Sequence, residues 1–328
     1  MNRRQRWVFL ILTLSLSTGC RQIEKLIKVS KPALPSARDM QEFDEQASWL
    51  QQRLMDRHLE NGYVVSRRGE SMAEEGDSLL FTGLALAALP CDRGRLIFSS
   101  IRASAEKRDG AFLRFDPLPD EYSDDPTSRD METGILFGLI TYHKRCQDSE
   151  VISLLKTHYK FIQKNSGFLY PNGDPTKINI NPSFQFLLNL YSNKLLSTPS
   201  PDDVDQTVYE SALISNVTFI KSSEAPCYPV HLSTLQLISL ATLKRPVSIA
   251  NNKTFCTMTD GLDLALTDWY CHRLDPADWL RQWQETGHTY LHQRCPAWES
   301  TNTTMETPGL DFLLLYQLAR NPESAPAL

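Results

Sequence analysis

Six segments of this 328-residue chain are apolar on almost every side: residues 79–89, 134–142, 184–191, 232–243, 262–270 and 310–318. A helix without a polar face cannot border water, so each of these must be enclosed by protein. Between and before them lie segments 40–59, 95–107, 150–164, 203–221 and 276–292, in which apolar residues recur at helical spacing and the remainder are polar. These read as outer helices that bury one face. The partner preceding the fifth inner segment, at 247–256, is the weakest, because Asn251-Asn252 and β-branched neighbours disfavour a long helix. Strand signals are confined to short extended stretches at 63–66 and 111–115. The expected class is therefore all-α, with short extended segments in the loops.

The loops repeat along with the helices. Asn61-Gly62-Tyr63, Asp109-Gly110-Ala111-Phe112 and Asn165-Ser166-Gly167-Phe168 each follow an outer segment, at spacings of roughly fifty residues. Glycine there supplies the left-handed residue that stops a helix, and the aromatic closes the apolar end of the unit. With Gly76-Asp77 leading to Gly83-Leu84, and Ser128-Arg129-Asp130-Met131-Glu132-Thr133-Gly134, the chain resembles the (α/α)6-toroid proteins. That group includes glycoside hydrolases, unsaturated-uronyl hydrolases and polysaccharide lyases. The resemblance implies a ring of helical hairpins over residues 39–321 and a carbohydrate substrate class, without assigning catalytic residues.

In such a ring the inner helices run one way, so their N-terminal ends would meet at one rim. Polar residues at those ends are Asp77, Arg129, Asp130, Glu132, Asn181, His231 and Asp260, with Asp263 one turn into an apolar segment and Tyr63 and Trp298 in the loops. Aromatic faces, amides and carboxylates together suit a sugar. For glycoside hydrolysis, which needs an acid and a base, Asp263 or Glu132 would be the acid and Asp130 the base. For a lyase, Arg129 would neutralise a uronate and His231 or a tyrosine would take the proton. Duller readings stand beside these. Asp77, Asp130 and Asp260 occupy positions where helices are capped, Arg129 can pair with Asp130, His231 can be a core histidine, and Trp298 can pack a loop. Asp263 is harder to set aside, since a carboxylate inside an apolar helix needs a partner.

The first twenty residues point outward from the cell. Arg3, Arg4 and Arg6 precede an apolar run at 7–16 that is too short to span a bilayer, and Leu-Ser-Leu-Ser-Thr-Gly-Cys follows at 14–20. This resembles a bacterial lipoprotein signal with Cys20 as the lipidated residue, although Ser17 stands where an aliphatic residue is usual. The implied division is a signal peptide at 1–19, a tether at 20–38 rich in lysine and proline, the helical domain, and a loose tail at 322–328. Arg21 after the cysteine implies the outer membrane, facing the periplasm. Apart from Cys20, six cysteines remain without metal-site spacing, so disulfides fit an oxidising compartment, and fifteen pairings are open.

A net charge of −5 without a basic cluster beyond the signal argues against nucleic-acid binding. There is no Gly-rich phosphate loop, H-E-x-x-H or G-x-S-x-G, so no metal or other cofactor is expected. Two functions follow. One is an envelope-anchored lipoprotein that binds glycan or protein at the rim, with the membrane as its other partner. The alternative is a carbohydrate-active enzyme using the rim carboxylates. Mass spectrometry of the mature N-terminus is expected to find an acylated Cys20; an unmodified terminus elsewhere would refute lipid anchoring.

Overall fold

The computed structural model describes residues 37–68, 71–74, 78–123, 126–165, 210, 227–243, 247–262, 264–272 and 309–320. Of these, 74% are helical and 4% lie in strands, which makes the class all-α. In chain order the helices are α1 (Ala37–Arg57), α2 (Ser78–Ala88), α3 (Cys91–Glu106), α4 (Arg129–Cys146), α5 (Ser149–Lys164), α6 (Cys227–Thr242), α7 (Ile249–Met258), α8 (Ala265–Tyr270) and α9 (Leu310–Arg320). Two antiparallel strand pairs lie between α1 and α2: β1 (Leu59–Glu60) with β2 (Tyr63–Val64), and β3 (Ser66–Arg68) with β4 (Ser71–Glu74). The expected segments at 184–191 and 276–292, and 203–221 apart from Glu210, lie outside the described residues.

Helix α2 is buried along its whole length, as its lack of any charged residue requires. Its main neighbour is α4, and the two meet backbone to backbone. A methyl group added at Gly83 would come 2.1 Å from the Gly134 carbonyl oxygen, and one at Gly138 would come 2.2 Å from that of Gly83. One at Gly134 would collide with Leu80. Further along, Arg145 donates from Nη1 to the Ala87 carbonyl at 2.5 Å and from Nη2 to that of Leu86 at 3.0 Å, and also to Leu89. Leu80, Gly83 and the 86–89 carbonyls thus face Gly134, Gly138 and Arg145 in the same order. The two helices run parallel, with their N-terminal ends together.

Helix α6 packs on α4, α8 packs on α6, and α9 packs on both α1 and α2. The last contact brings the end of the described chain back to its beginning. Tyr316 donates to Asp44 at 2.6 Å, and Arg320 pairs with the same carboxylate. Gly309, at φ 67°, turns the chain beside Leu50.

The local signals explain most helix limits. Asn61 and Gly62 take φ 51° and 84° between β1 and β2, the positive pair that a two-residue hairpin turn demands. Asp109 and Gly110 take φ 56° and 106° after α3. Ser128 caps α4 by accepting from Met131 N–H, and left-handed Gln147 ends it. The apolar pattern misses the ends of α4 because its first and last turns are polar. Helix α6 begins at Cys227, before its apolar run, with Pro229 tolerated in the first turn. Helix α8 begins only at Ala265, because Leu264 is still extended after left-handed Gly261.

Disulfides join Cys91 to Cys146 and Cys256 to Cys271. The first fastens the start of α3 to the end of α4, beside the Arg145 contacts; the second joins α7 to the end of α8.

Alanine favours a helix interior over glycine by about 1 kcal/mol, so Gly138→Ala would stabilise α4 if nothing touched it. Overpacking costs about 1–3 kcal/mol or more, and here the obstacle is backbone. A net loss in urea unfolding is the expected result; an unchanged or raised midpoint would mean that α2 and α4 do not depend on this approach.

Candidate functional site at the N-terminal end of α4

The connection from α3 to α4 folds back on itself and places several polar side chains beside the first turn of α4. Arg114 N–H donates to the Pro126 carbonyl at 2.8 Å, which fixes residue 114 a few positions from Arg129. The Arg114 guanidinium lies 5.0 Å from the centre of the Tyr122 ring, in a short 3-10 turn at Asp120–Tyr122. Arg108 pairs with Asp116 at 2.9 Å and anchors the other limb of the loop. Arg129 and Asp130 are half-buried in the first turn. The Arg129 carbonyl accepts from the Thr133 hydroxyl at 2.8 Å, and its guanidinium has no hydrogen bond or ion pair among the described residues, whereas Asp130 does interact.

Glu132, in the same first turn, is wholly buried. Its Oε2 lies 3.1 Å from Nε2 of His158, on α5, which is also wholly buried. The imidazole Nδ1 donates to the Gly110 carbonyl at 2.9 Å, and the ring lies 4.3 Å from that of Phe112. Next to Glu132, Thr133 accepts from Gln236 of α6 at 3.4 Å. In this arrangement the Glu132 carboxylate meets an imidazole and not solvent.

The other expected site residues are dispersed. Tyr63 is 1% exposed; its hydroxyl donates to Ser104 at 3.2 Å and its ring lies 5.3 Å from Phe115, so it closes the apolar end of the hairpin. His231 is buried in the first half of α6 and has interactions of its own. Asp260 is exposed in the turn between α7 and α8, several residues before α8 starts. Asp77, Asn181, Asp263 and Trp298, and the lipidation candidate Cys20, lie outside the described residues. Among the described residues no three His, Cys, Asp or Glu side chains group to hold a metal, and no helix is long and apolar enough to cross a membrane.

His158 was not among the expected site residues, yet its position is readable. Val151, Leu154, Leu155, His158, Tyr159 and Ile162 form the buried stripe of α5, and a histidine on such a stripe must find a partner inside. Glu210 is similar in kind: it accepts from Ser248 N–H at 3.1 Å and Ser248 Oγ at 2.8 Å and from Asn251, thereby capping α7. Nothing in its local sequence indicates that role, since the partners lie far along the chain.

No protein-family model, curated protein or solved structure matches this chain.

Burial pushes the Tyr63 phenol up from 10.0 to about 12, with Ser104 opposing, Asp116 adding and Arg108 opposing. The folded chain therefore keeps this proton where the unfolded chain loses it. Its contribution to stability is complete below pH 10.0 and falls as pH rises toward about 12. Tyr63→Phe is expected to remove part of that alkaline loss in urea unfolding while costing about 1 kcal/mol at neutral pH through the Ser104 bond. Parallel alkaline curves for the two proteins would clear Tyr63 of the effect.

Proposed function

We propose that the chain is a lipid-anchored protein of the bacterial envelope whose helices close into an (α/α)6-type ring, and that it binds a glycan at the rim formed by the N-terminal ends of the inner helices. The observation that carries this reading is the parallel packing of α2 and α4. It brings two inner-helix N-terminal ends to one side, where the Arg129 side chain is half-exposed and has no hydrogen bond or ion pair among the described residues. A half-exposed guanidinium at a helix N-terminal end suits a sugar that carries acidic groups. The return of α9 to α1 and α2 supports ring closure. The two disulfides are compatible with an exported protein.

Glu132 does not suit the role of general acid: such an acid must reach the leaving oxygen of its substrate, and this carboxylate is enclosed and opposed to His158. Asp130, half-exposed in the first turn of α4, would be a binding group.

Isothermal titration of the mature protein with peptidoglycan fragments, uronate polymers and neutral glycans tests the proposal. One glycan class is expected to bind, and Arg129→Ala to weaken it about tenfold, the loss appropriate to a charge-assisted hydrogen bond. Absence of binding to every class would refute the glycan reading and turn attention to a protein partner, while turnover of any glycan would refute the non-catalytic one.

A further inference from the structure

The two disulfides differ in how readily a thiol can reach them. Cys91 is exposed and Cys146 half-buried, whereas Cys256 is half-buried and Cys271 is only 9% exposed. Exchange begins when a thiolate strikes one sulfur of a bridge, so an exposed bridge is attacked in the folded protein and an enclosed one waits for a local opening. Position adds to access. Cys91 is the first residue of α3, where a helix N-terminus favours a thiolate, with Asp92 beside it opposing.

The elements that Cys91–Cys146 joins also meet without it. Arg145 donates to the carbonyls of Leu86, Ala87 and Leu89, which holds α4 to the end of α2. The Tyr142 ring lies against Gly94, where an added methyl would come within 2.8 Å of it, and stacks with Phe98 at 5.9 Å between centroids, which holds α4 to α3. Arg95 of α3 pairs with Asp148 and Glu150, at the start of α5. The junction therefore keeps its contacts when the sulfurs part.

We propose that Cys91–Cys146 is a reversible redox site, opened in the folded protein by exchange with an external dithiol, while Cys256–Cys271 stays closed. A thiolate of the dithiol attacks one bridge sulfur, the S–S bond breaks, and the other sulfur leaves as a thiolate that takes up a proton. The second thiol of the dithiol then attacks the mixed disulfide in the same way. The cysteine pair gains two electrons and two protons, and the dithiol loses them in becoming a disulfide. Reclosure is the reverse exchange with an external disulfide. Opening frees the end of α4 from the start of α3 and leaves α2 and α4 clasped by Arg145, whatever the rim binds.

Loop length ranks the bridges the other way. A bridge between residues 55 apart restricts the unfolded chain more than one between residues 15 apart. That restriction acts on the unfolded chain, however, and shields no sulfur in the folded one.

The test is reduction of the full chain by dithiothreitol under native conditions, quenched with acid and followed by differential alkylation and peptide mass spectrometry, which reads each cysteine separately. Cys91 and Cys146 are expected to be reduced about tenfold faster than Cys256 and Cys271 or more, in proportion to dithiothreitol concentration, and to pair again in glutathione disulfide. In concentrated urea the rate difference is expected to vanish. Amide hydrogen exchange of the selectively reduced protein is expected to lose protection only around residues 89–93 and 141–148. The double variant Cys91→Ala, Cys146→Ala is expected to show the same local loss without reductant. Equal rates for the two bridges, or faster opening of Cys256–Cys271, would overturn the proposal. So would a rate difference that persists in urea, because it would not come from the fold. Loss of protection throughout α2 and α4, on reduction or in the double variant, would overturn it as well, because the bridge would then be holding the fold together.

Discussion

Everything described here is arranged around the approach of α2 to α4 at Gly83, Gly134 and Gly138. With carbonyl oxygens about 2 Å from where a Cβ would sit, the helices are as close as backbones allow, and no side chain intervenes to let them slide. Such contact fixes both register and direction. It also explains why α2 can be a short helix of leucine, alanine, serine and threonine. Its apolar surface is taken up by α4 on one side and α9 on another, while α3 and β2 cover the rest. Thr82 ties in the hairpin, accepting from Val64 N–H at 2.8 Å while donating to the Ser78 carbonyl at 2.6 Å.

Close parallel packing creates an electrostatic problem, since like helix ends lie side by side. At the C-terminal end the solution is a cation. Arg145 reaches across from α4 and takes three carbonyls of α2 and its C-terminal extension. Burial pushes its guanidinium down from the ordinary value and Tyr142 opposes that shift, but arginine stays charged under any ordinary condition. The Cys91–Cys146 disulfide then fastens the next residue of α4 to the start of α3. Carbonyls, guanidinium and covalent link meet within the fold at this end.

Helix positions were legible in the amino-acid order because periodicity is a local property. The stripe of α5 and the uninterrupted apolar run of α2 announce their surroundings directly, and Asn61-Gly62 announces its turn. Gly134 and Gly138 were visible too, four residues apart on one face, but not the identity of the helix they admit, because that is a long-range choice. Disulfide pairing was hidden for the same reason: Cys91 and Cys146 stand 55 residues apart. The candidate site divides along this line. Arg129 and Asp130 could be located from the cap that precedes them. The enclosure of Glu132 could not, since it depends on α5 delivering His158 and on Gly110 orienting that ring. Tyr63 shows the ambiguity of a loop aromatic, which the hairpin turn aims inward to Phe115 and Ser104.

The N-terminal end of α4 is the counterpart of the sealed one, and its composition is opposite in kind. Helix dipoles favour anions there, and the first turn holds two carboxylates, Asp130 and the buried Glu132. Among the described residues, Ser128 answers one first-turn N–H, accepting from Met131 at 3.4 Å, a long bond. Arg129 adds a half-exposed guanidinium without an ion pair among the described residues to the same end. The asymmetry follows from parallel packing: once two helix ends of the same sign must share a side, the fold neutralises the C-terminal side from within, with Arg145.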